Sequence, residues 1–206
     1  CGIAGFLNFN SQQVSLDLAS LEQAILKLNL RGPDFQNCES VSEQVGLAHA
    51  RLSIIDTSNE ANQPMHAYGE RYTIIFNGEI YNYLELKQQL EKEKGEVFFT
   101  ASDTEVILRM YHHHGKDCLR FFNGFFALAI HDKESDELFI ARDRMGIKPL
   151  IYTKTDTSVY FASEMKAMMA FNIKREIDFV SLQQYFQFNY IPSPSTIFKN
   201  VHKLKP

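Results

Sequence analysis

The sequence predicts an α+β fold in which two antiparallel sheets pack face to face between layers of helices. Strand-like segments in the second half of the chain are joined by short polar turns at 133–136 and 154–158, and strands joined in this way pair antiparallel. Helical patterns stand before and after the strands. A chain of 206 residues is long enough for a layered domain of this kind.

Composition narrows the class of protein. A hydrophobic fraction of 45% and a charged fraction of 22% are ordinary for a globular domain with a buried core. The net charge of -4 offers no basic field for nucleic acid, and no apolar run approaches the roughly 18 residues that span a bilayer. The first residues also lack the layout of a signal peptide. We therefore expect a cytoplasmic domain that binds neither nucleic acid nor membranes.

The cysteines point away from a structural disulfide or metal framework. Cys1, Cys38 and Cys118 form an odd, sparse set without CxxC spacing. In the cytosol such thiols stay reduced. We expect no bound metal in this domain.

The first half of the chain alternates strand and helix patterns. The opening apolar run predicts a strand, and Gly2 and Gly5 predict that this strand stays slim where a substrate passes over Cys1. The next apolar residues recur at helical spacing up to the turn RGPD. The predicted elements are a strand over 2–9, a helix over 15–30, β-rich segments over 45–56 and 72–82 with a loop over 57–65 between them, and a helix over 83–95.

The second half begins with the best-signalled helix, over 102–115. Ser102 and Glu105 have the spacing of a capping box, and Gly115 follows as a terminator. Two hairpins and two shorter helices are predicted after it. Their strands cover 124–132, 137–143, 149–153 and 159–163, and their helices cover 164–171 and 178–190.

Cys1 combines a thiol and an α-amine on one residue. An α-amine has a pKa of about 7.7–8.0, so near neutral pH part of it is unprotonated and can act as a base. This pairing matches the chemistry of an N-terminal nucleophile. Taken alone, the residue fits better with a chain that begins at an arbitrary position.

The segment FNGEIYN, residues 76–82, follows an apolar run. Asn77 and Gly78 form a common turn signal, so we expect the strand to end there in a turn that leads into the next helix. A side-chain amide beside a glycine N–H is also a competent pair of donors for an oxyanion. A tight hairpin is the structural alternative.

Arg51 and Asp103 are charged residues in positions that need an explanation. Arg51 stands in an apolar β segment, where an unpaired charge is costly. It therefore forms either a structural ion pair or a bidentate clamp on a substrate carboxylate. Asp103 lies in the first turn of the capped helix, where it either complements the helix dipole or accepts a hydrogen bond from a bound ammonium group.

Other polar motifs carry weaker expectations. His49 is expected to pack in the core rather than to act in catalysis. Three consecutive histidines at 112–114 point in different directions on a helix and do not converge on one metal ion. The motif ARDRMGIKPL, residues 141–150, is either a solvated loop or a surface that carries signals between domains. Arg31 and Asp34 of the RGPD turn are candidates for lining a pocket.

Taken together, these motifs resemble one known family. The set comprises CGI at the terminus, RGPD, HARLSI, NGEIYN, SDTEVI, ARDRMGIKPL and YFASEMKAM. In order and spacing it resembles the class II glutamine amidotransferase domain of asparagine synthetases, over residues 1–206. The initial CGI is shared by all class II amidotransferases, whereas NGEIYN, SDTEVI and FASEMKA indicate the asparagine synthetase branch.

The resemblance implies a fold and a reaction. The fold is that of the N-terminal nucleophile hydrolases, a four-layer αββα sandwich, which agrees with the pattern-based prediction. The reaction is hydrolysis of the side-chain amide of L-glutamine to glutamate and ammonia through a γ-glutamyl thioester on Cys1, whose α-amine relays the proton to the leaving ammonia. In the family the initiator Met is removed, which would leave Cys1 as the first residue.

The resemblance also assigns roles at matching positions. Asn77 through its side-chain amide and Gly78 through its backbone N–H are implied as the oxyanion hole. Arg51 is implied as the clamp on the α-carboxylate of glutamine, and Glu79 and Asp103 as acceptors for its α-ammonium. The backbone implied to line the same pocket is that of Arg51, Leu52, Ser53, Ile54 and Ile55.

The implied partners are L-glutamine and a C-terminal synthetase domain of the same full-length protein, and a homodimer is left open. We expect the domain core over about 1–170 and an extension over 171–206 that leads toward the synthetase domain. ATP and Mg would serve only that domain, which converts aspartate to asparagine, and this sequence has no phosphate-binding loop for such a step. No cofactor is expected in the amidotransferase domain itself.

Three alternatives stay open from the sequence. The domain would supply ammonia for another carboxylate, cut a different amide, or serve as a docking module with little activity of its own. An acyl amide has no zwitterion for Arg51, Glu79 and Asp103 to hold, and the intact Cys1 argues against a degenerate module. The family commonly has His before RGPD where this chain has Leu30, and this departure affects the expected shape of the turn.

Overall fold

Ten strands and five α-helices form the part of the chain that this computed structural model describes, residues 1–10 and 14–206. The strands are β1 (Gly2–Asn8), β2 (Phe35–Ser40), β3 (Val45–Arg51), β4 (Met65–Ala67), β5 (Tyr72–Ile80), β6 (Gly124–Asp132), β7 (Glu137–Arg142), β8 (Ile151–Lys154), β9 (Ser158–Ala162) and β10 (His202–Lys203). The α-helices are α1 (Val14–Lys27), α2 (Tyr83–Lys94), α3 (Asp103–His114), α4 (Met165–Met168) and α5 (Phe179–Phe188). Short 3-10 helices lie at Asn29–Arg31, Asn59–Ala61, Gly115–Phe121 and Met169–Phe171.

The strands form two antiparallel sheets. The first sheet has the order β10-β8-β9-β1-β3-β2 and the second the order β4-β5-β6-β7. Both predicted hairpins are confirmed, since β6 pairs with β7 and β8 pairs with β9. The strand that follows Cys1 lies in the middle of the first sheet, between β3 and β9.

Three apolar clusters define the layers. Between the sheets, Ile3 and Leu47 of the first sheet pack with Ile75 and Ala127 of the second. The outer face of the first sheet packs against α1 and α4, and that of the second against α2 and α3. The resulting order of helix, sheet, sheet and helix is the layered arrangement that the sequence predicts.

Helix α3 begins where the sequence places it. The Ser102 hydroxyl accepts a hydrogen bond from the Glu105 N–H at 3.3 Å and so caps the helix. The reciprocal half of the capping box does not form, because the Glu105 carboxylate accepts the N–H groups of Phe99 at 3.1 Å and Thr100 at 2.7 Å instead. The first turn of α3 is thereby tied to the segment before it.

The turn predicted at Asn77-Gly78 is wrong. Both residues lie inside β5, where Asn77 is paired with Ala127 and Gly78 with Phe126. Pairing continues to Ile80, opposite the start of β6. A long neighbouring strand therefore overrides the local turn preference of Asn-Gly.

Strands β2 and β4 are absent from the predicted elements. The first has a polar sequence, FQNCES, and the second is only three residues long, so neither shows a clear alternating pattern. Each pairs with a stronger neighbour, β2 with β3 and β4 with β5. These edge strands depend on their partners rather than on their own sequence.

The reason proposed for the slim first strand is also wrong. A Cβ on Gly5 would lie 2.4 Å from Cζ of Phe161 and 2.8 Å from the carbonyl oxygen of Gly46. A Cβ on Gly2 would lie 3.2 Å from the side chain of Leu28. Neighbouring side chains and backbone fill this space, so both glycines serve packing and not the passage of a substrate.

The motif ARDRMGIKPL is built around its own charges, and its turn is exposed to solvent as one of the two interpretations expects, with Met145 81% and Ile147 61% exposed. The Asp143 carboxylate accepts the N–H groups of Met145 at 3.1 Å, Ile147 at 2.9 Å and Lys148 at 3.0 Å. The Arg142 Nε–H donates to the Lys148 carbonyl at 2.5 Å. These bonds hold Lys148 in one place. The other interpretation, a surface that carries signals between domains, stays a prediction.

The C-terminal segment packs onto the same sheet as the N-terminal strand. Helix α5 confirms a predicted helix and is capped by Asp178, whose carboxylate accepts the Val180 N–H at 3.3 Å. Strand β10 then pairs with β8 at the edge of the first sheet. The division of the chain near residue 170 stays a prediction.

Among residues 1–10 and 14–206, no helix has the length and apolar character needed to cross a bilayer. The cytoplasmic location stays a prediction.

Candidate active site

The candidate site lies at one end of the cleft between the two sheets. The pairing register of β1 and β3 brings two of its residues together. Gly2 pairs with Ala50, so Cys1 lies beside Arg51 at the end of β3. Side chains alternate between the faces of a strand, and Ile3 and Ile75 both point between the sheets. Cys1 and Asn77 therefore face the same layer from opposite sheets.

Cys1 is held by backbone and by Arg31. Its α-amine donates to the Arg31 carbonyl at 2.9 Å, and the Arg31 Nε–H donates back to the Cys1 carbonyl at 2.8 Å. Arg31 is itself paired with Glu164, at 2.9 Å. The Cys1 Sγ accepts the Leu52 N–H at 3.3 Å. Both functional groups of Cys1 are thus fixed relative to the end of β3.

The α-amine of Cys1 sits in surroundings that disfavour its protonated form. Burial is the largest cause, and the positive charges of Arg31 and Lys148 add to it, while Asp34 opposes them. Together they lower the pKa of this amine to about 6. At neutral pH the amine is therefore largely a free base.

Strand β5 extends past the end of β4, so among the described residues one edge of its second half has no strand beside it. Alternate residues of a strand point their N–H groups to the same side. The N–H groups of Phe76, Gly78 and Ile80 therefore all point outward from this edge. The Phe76 N–H is taken by the Gln63 side-chain oxygen at 2.6 Å, and the Ile80 N–H by the Asp103 carboxylate at 3.1 Å. The Gly78 N–H lies between them, beside the cavity that Gly78 lines.

Gly78 leaves no room for a side chain. A Cβ built on it would lie 2.3 Å from the Phe125 carbonyl oxygen and 2.7 Å from the Phe126 Cα. Both are backbone atoms of the neighbouring strand and cannot swing aside. Glycine is required here so that β5 approaches β6 closely.

Asn77 is a buried amide without a partner. Its side chain is 1% exposed, and among the described residues neither Oδ1 nor Nδ2 has a hydrogen-bond partner. Asn77 lines the same cavity as Cys1. An unsatisfied buried amide costs free energy, so its position beside a thiol indicates a role toward a bound molecule.

Arg51 is buried and is held by neutral groups. Its Nη1 donates to the Ser58 carbonyl at 2.8 Å and to Oδ1 of Asn62 at 2.6 Å, and its Nη2 donates to the Asp56 carbonyl. The expected structural ion pair is not formed within residues 1–10 and 14–206. Arg51 nevertheless lines the cavity. A hydrogen bond from Ser58 is the main cause that lowers the pKa of the nearby Asp56 carboxyl, and the charge of the Arg51 guanidinium adds to this effect without a direct ion pair.

Glu79 and Asp103 supply negative charge on the opposite wall. Asp103 is buried, and the loss of solvent is the main cause that raises the pKa of its carboxyl to about 6, with the charge of Glu79 adding to the effect. The N–H groups of Ile80 and Thr104 act in the opposite direction. A cation placed between the two carboxylates would favour their ionised forms.

The cavity has a volume of about 170 Å³ and brings the predicted residues together. Every residue to which the resemblance assigns a role lines it except Ser53, whose N–H donates to the Asp34 carboxylate at 2.8 Å. Arg31 and Asp34, the other candidates for lining a pocket, do not line this cavity. Leu30 is 88% exposed and does not line the cavity.

Sequence reasoning missed several lining residues. Gln63 comes from a loop with no motif, and Phe125 from a core strand. Lys148 belongs to a motif that the sequence singled out, but nothing in its order showed that its side chain reaches the cavity. There its Nζ lies 4.6 Å from the centroid of the Phe125 ring.

The histidines lie outside the chemistry of the site. His49 is fully buried and its Nε2 is 3.0 Å from the Phe76 carbonyl oxygen, so it donates there. Burial lowers its pKa to about 3, which keeps the ring neutral. On α3, His112 stacks on Tyr68 at 3.9 Å and His113 pairs with Glu96 at 2.7 Å.

Comparison with known proteins adds independent findings. The sequence profile described as "Glutamine amidotransferase domain" matches residues 1–206. The chain is 43% identical over 207 residues to glutamine-hydrolyzing asparagine synthetase 1 of Bacillus subtilis, covering 100% of this chain and 32% of that protein. It is 36% identical over 227 residues to putative glutamine-hydrolyzing asparagine synthetase 2 of Methanocaldococcus jannaschii, covering 100% and 42%. The chain thus spans about a third to two fifths of the length of these relatives.

A solved structure with the same architecture is that of glutamine phosphoribosylpyrophosphate amidotransferase from Bacillus subtilis, complexed with ADP and GMP. The TM-score is 0.64 at 22% identity, covering 86% of this chain and 45% of that one. At this level of identity the likeness shows the fold. The predicted four-layer αββα sandwich of two antiparallel sheets between helical layers is confirmed.

Proposed function

The chain belongs to the glutamine amidotransferase family, and from that premise we propose that it hydrolyses the side-chain amide of L-glutamine to glutamate and ammonia, with Cys1 as the nucleophile. One observation carries the proposal. The Cys1 thiol shares a small cavity with a buried arginine, Arg51, whose side chain is bonded to neutral groups, and with the carboxylates of Glu79 and Asp103. This is the charge pattern that a zwitterionic amino acid requires.

The first half of the reaction forms a thioester. The Cys1 Sγ attacks the amide carbon of glutamine while the thiol proton passes to the α-amine. The negative oxygen of the tetrahedral intermediate is stabilised by the Asn77 side-chain N–H and the Gly78 N–H. The C–N bond then breaks, the proton moves from the α-ammonium to the leaving nitrogen, and ammonia departs from a γ-glutamyl thioester on Cys1.

The second half returns the enzyme to its starting state. The α-amine takes a proton from a water molecule, whose oxygen attacks the thioester carbon. The C–S bond breaks, the sulfur recovers the proton, and glutamate leaves. Since Cys1, Asn77 and Gly78 supply every group that these steps need, the proposed hydrolysis requires no cofactor.

Three properties of the site support this mechanism. The α-amine pKa of about 6 makes it an available base at neutral pH. The unpartnered amide of Asn77 and the inward N–H of Gly78 provide two donors in water-poor surroundings, where they are most effective. Cys1 is held in register with both by contacts to Arg31 and Leu52.

Substrate recognition follows from charge. We assign Arg51 to the α-carboxylate of glutamine, because three neutral acceptors orient its guanidinium without cancelling its charge. We assign Glu79 and Asp103 to the α-ammonium. The lining residues Leu52, Ile54 and Ile55 would contact the rest of the amino acid.

We further propose that the released ammonia serves an ATP-dependent synthetase domain that converts aspartate to asparagine. The names of the relatives support this use, and so does their length beyond the part that this chain matches. ATP and Mg would belong to that domain. Another carboxylate as the nitrogen acceptor is the alternative, and product analysis of the full-length protein with aspartate and ATP separates the two.

The direct test measures glutamate and ammonia released from glutamine in the full-length protein. Cys1→Ala should abolish release, whereas Cys38→Ala should leave it within about twofold, because Cys38 lies on β2 and away from the cavity. Release that persists in Cys1→Ala would contradict the proposal.

A further inference from the structure

Strand β5, which carries the proposed oxyanion donors, is covered by a neighbouring strand along only part of one edge. Strand β4 covers β5 only as far as Ile74, which it meets at Met65. Beyond that point the outward amide groups of β5 have no strand beside them. Buried strand edges of this kind must be satisfied by side chains.

Gln63 takes the place of the missing strand at Phe76. Its Oε1 accepts the Phe76 N–H at 2.6 Å, and the atom in this position must be the oxygen because the strand offers a donor. Phe76 directly precedes Asn77. The bond therefore sets the position of β5 one residue before the proposed oxyanion hole.

The other end of the same amide reaches α3. The Gln63 Nε2 donates to the Thr104 hydroxyl at 3.2 Å, and Thr104 directly follows Asp103. Gln63 is 5% exposed and Thr104 is 3% exposed, so water does not compete for this bond. One buried amide thus links the strand with the oxyanion donors to the helix with the ammonium acceptor.

His49 holds the same residue, Phe76, from the first sheet. Its Nε2 lies 3.0 Å from the Phe76 carbonyl oxygen. Its neighbour in the sheet is Ile3, two residues after Cys1. The N–H and the C=O of Phe76 are therefore held by two buried side chains, of which only Gln63 also contacts α3.

We propose that Gln63 is a positioning residue that sets the spacing between the oxyanion donors, Asn77 and Gly78, and the ammonium acceptor Asp103. The inference rests on the proposed glutamine hydrolysis. Its bond to Phe76 acts on the transition state through Asn77 and Gly78, whereas its bond to Thr104 acts on substrate binding through Asp103. The two bonds should therefore have separable effects on kcat and KM.

The test compares variants of the full-length protein in glutamine hydrolysis. Gln63→Met keeps the length of the side chain but removes both bonds, and we expect kcat to fall by about 10- to 100-fold, the effect of a small displacement of catalytic groups. Gln36→Met is the matched control, because Gln36 lies on β2 and its side chain bonds only Asn29 among the described residues. It should leave kcat and KM within about twofold.

Thr104→Val separates the two bonds, because it removes only the acceptor on α3 and leaves the Phe76 N–H bonded to Gln63. It should keep kcat within about threefold and raise KM by about three- to tenfold. The proposal is overturned if Gln63→Met leaves kcat unchanged, or if Thr104→Val loses as much kcat as Gln63→Met.

A structural readout keeps this test apart from the proposed function. Amide hydrogen exchange at Phe76 should accelerate at least tenfold in Gln63→Met and stay slow in Thr104→Val and in Gln36→Met. If wild-type protein hydrolyses no glutamine, the proposed function fails by itself, and exchange still decides whether Gln63 holds β5. Unchanged exchange at Phe76 in Gln63→Met would show that it does not.

Discussion

At the scale of the residue, the three cysteines differ in chemistry because their surroundings differ. Cys118 is buried in the apolar cluster under the second sheet, and burial raises the pKa of its thiol to about 12. Burial also raises the pKa of Cys38, with the charges of Glu22 and Glu39 adding to the effect. Cys1 alone among them has an α-amine with a lowered pKa within its own residue. We therefore expect Cys1, which has a base beside its thiol, to be more reactive than Cys38 or Cys118.

We predict selective labelling of Cys1. Treatment with 6-diazo-5-oxo-norleucine, a reactive glutamine analogue, should add one adduct at Cys1 and none at Cys38 or Cys118, which mass spectrometry of peptides can locate. Excess glutamine should slow the labelling because it occupies the same cavity. Adducts on either internal thiol at a similar rate would count against a unique nucleophile.

A second prediction concerns pH. The proposed mechanism needs a free α-amine and an ionised Asp103, and both pKa values are near 6. Below pH 6, log kcat/KM should therefore fall with a slope approaching two, because both groups take up a proton in the free enzyme. Bound ammonium keeps Asp103 ionised, so log kcat should fall with a slope of one.

Asp103→Asn distinguishes the two groups. It should raise KM and reduce the slope of log kcat/KM to one, leaving the α-amine as the only group that titrates near pH 6. If the slope of log kcat/KM stays at two in Asp103→Asn, the second proton is taken up by a residue other than Asp103.

At the scale of the element, β5 determines the geometry of the oxyanion donors. It is paired with β6 along its whole length, and it is held at its free edge by side chains from a loop, from β3 and from α3. The local preference of Asn-Gly for a turn is overridden by this pairing. The consequence is that Gly78 keeps an extended backbone and an N–H that points toward the cavity.

We predict that Gly78→Ala impairs both catalysis and stability. The added Cβ would press on the Phe125 carbonyl and force β5 away from β6. We expect kcat to fall at least tenfold, and the free energy of unfolding to fall by about 1–3 kcal/mol as for other overpacked sites. Urea denaturation and steady-state kinetics measure the two effects.

Gly95→Ala is the matched control for this prediction. Its backbone has a φ of +67° at the end of α2, and a Cβ there meets nothing within 4 Å. It should lose about 1 kcal/mol of stability through backbone strain and keep its kcat. Equal kcat values in the two variants would argue against a role for the position of β5.

At the scale of the whole molecule, the site exists only where the two sheets meet. The first sheet carries Cys1 and Arg51, and the second carries Asn77 and Glu79. The bond from His49 to the Phe76 carbonyl crosses between the sheets beside the site. The packing of the two sheets against each other therefore also brings Cys1 and Arg51 together with Asn77 and Glu79.

From the buried His49 we predict that the free energy of unfolding decreases at acidic pH. Its pKa is about 3 in the folded protein and near 6.5 when exposed, so between these values the unfolded state binds a proton that the folded state does not. Stability is fully present above pH 6.5 and falls as the pH falls. We expect His49 to contribute a loss of about 3 kcal/mol between pH 7.5 and pH 4.5.

Urea denaturation of wild-type protein and of His49→Gln at both pH values measures this contribution. Gln keeps a donor for the Phe76 carbonyl but does not titrate, so the loss on acidification should be smaller in the variant. An equal loss in both proteins would show that other groups dominate the acid response.

The sequence by itself determined the features that local chemistry encodes. The helices α2, α3 and α5 and both hairpins were predictable because capping residues, apolar periodicity and turn residues act over a few positions. Cys1, Arg51 and Asp103 were identified as candidates because each is a charged or reactive group at a position where its local sequence does not explain it. The roles assigned to them came from the resemblance to a family and not from their pattern alone.

Tertiary structure decided what depends on distant partners. The extended backbone at Gly78 and the contribution of Gln63 had no local signal, because both depend on which segments meet across the sheets. The Arg31 that holds Cys1 is paired with a residue 133 positions further along the chain, Glu164. Sequence patterns report which side chains are buried, whereas the partner of each buried polar group is chosen only when the layers pack.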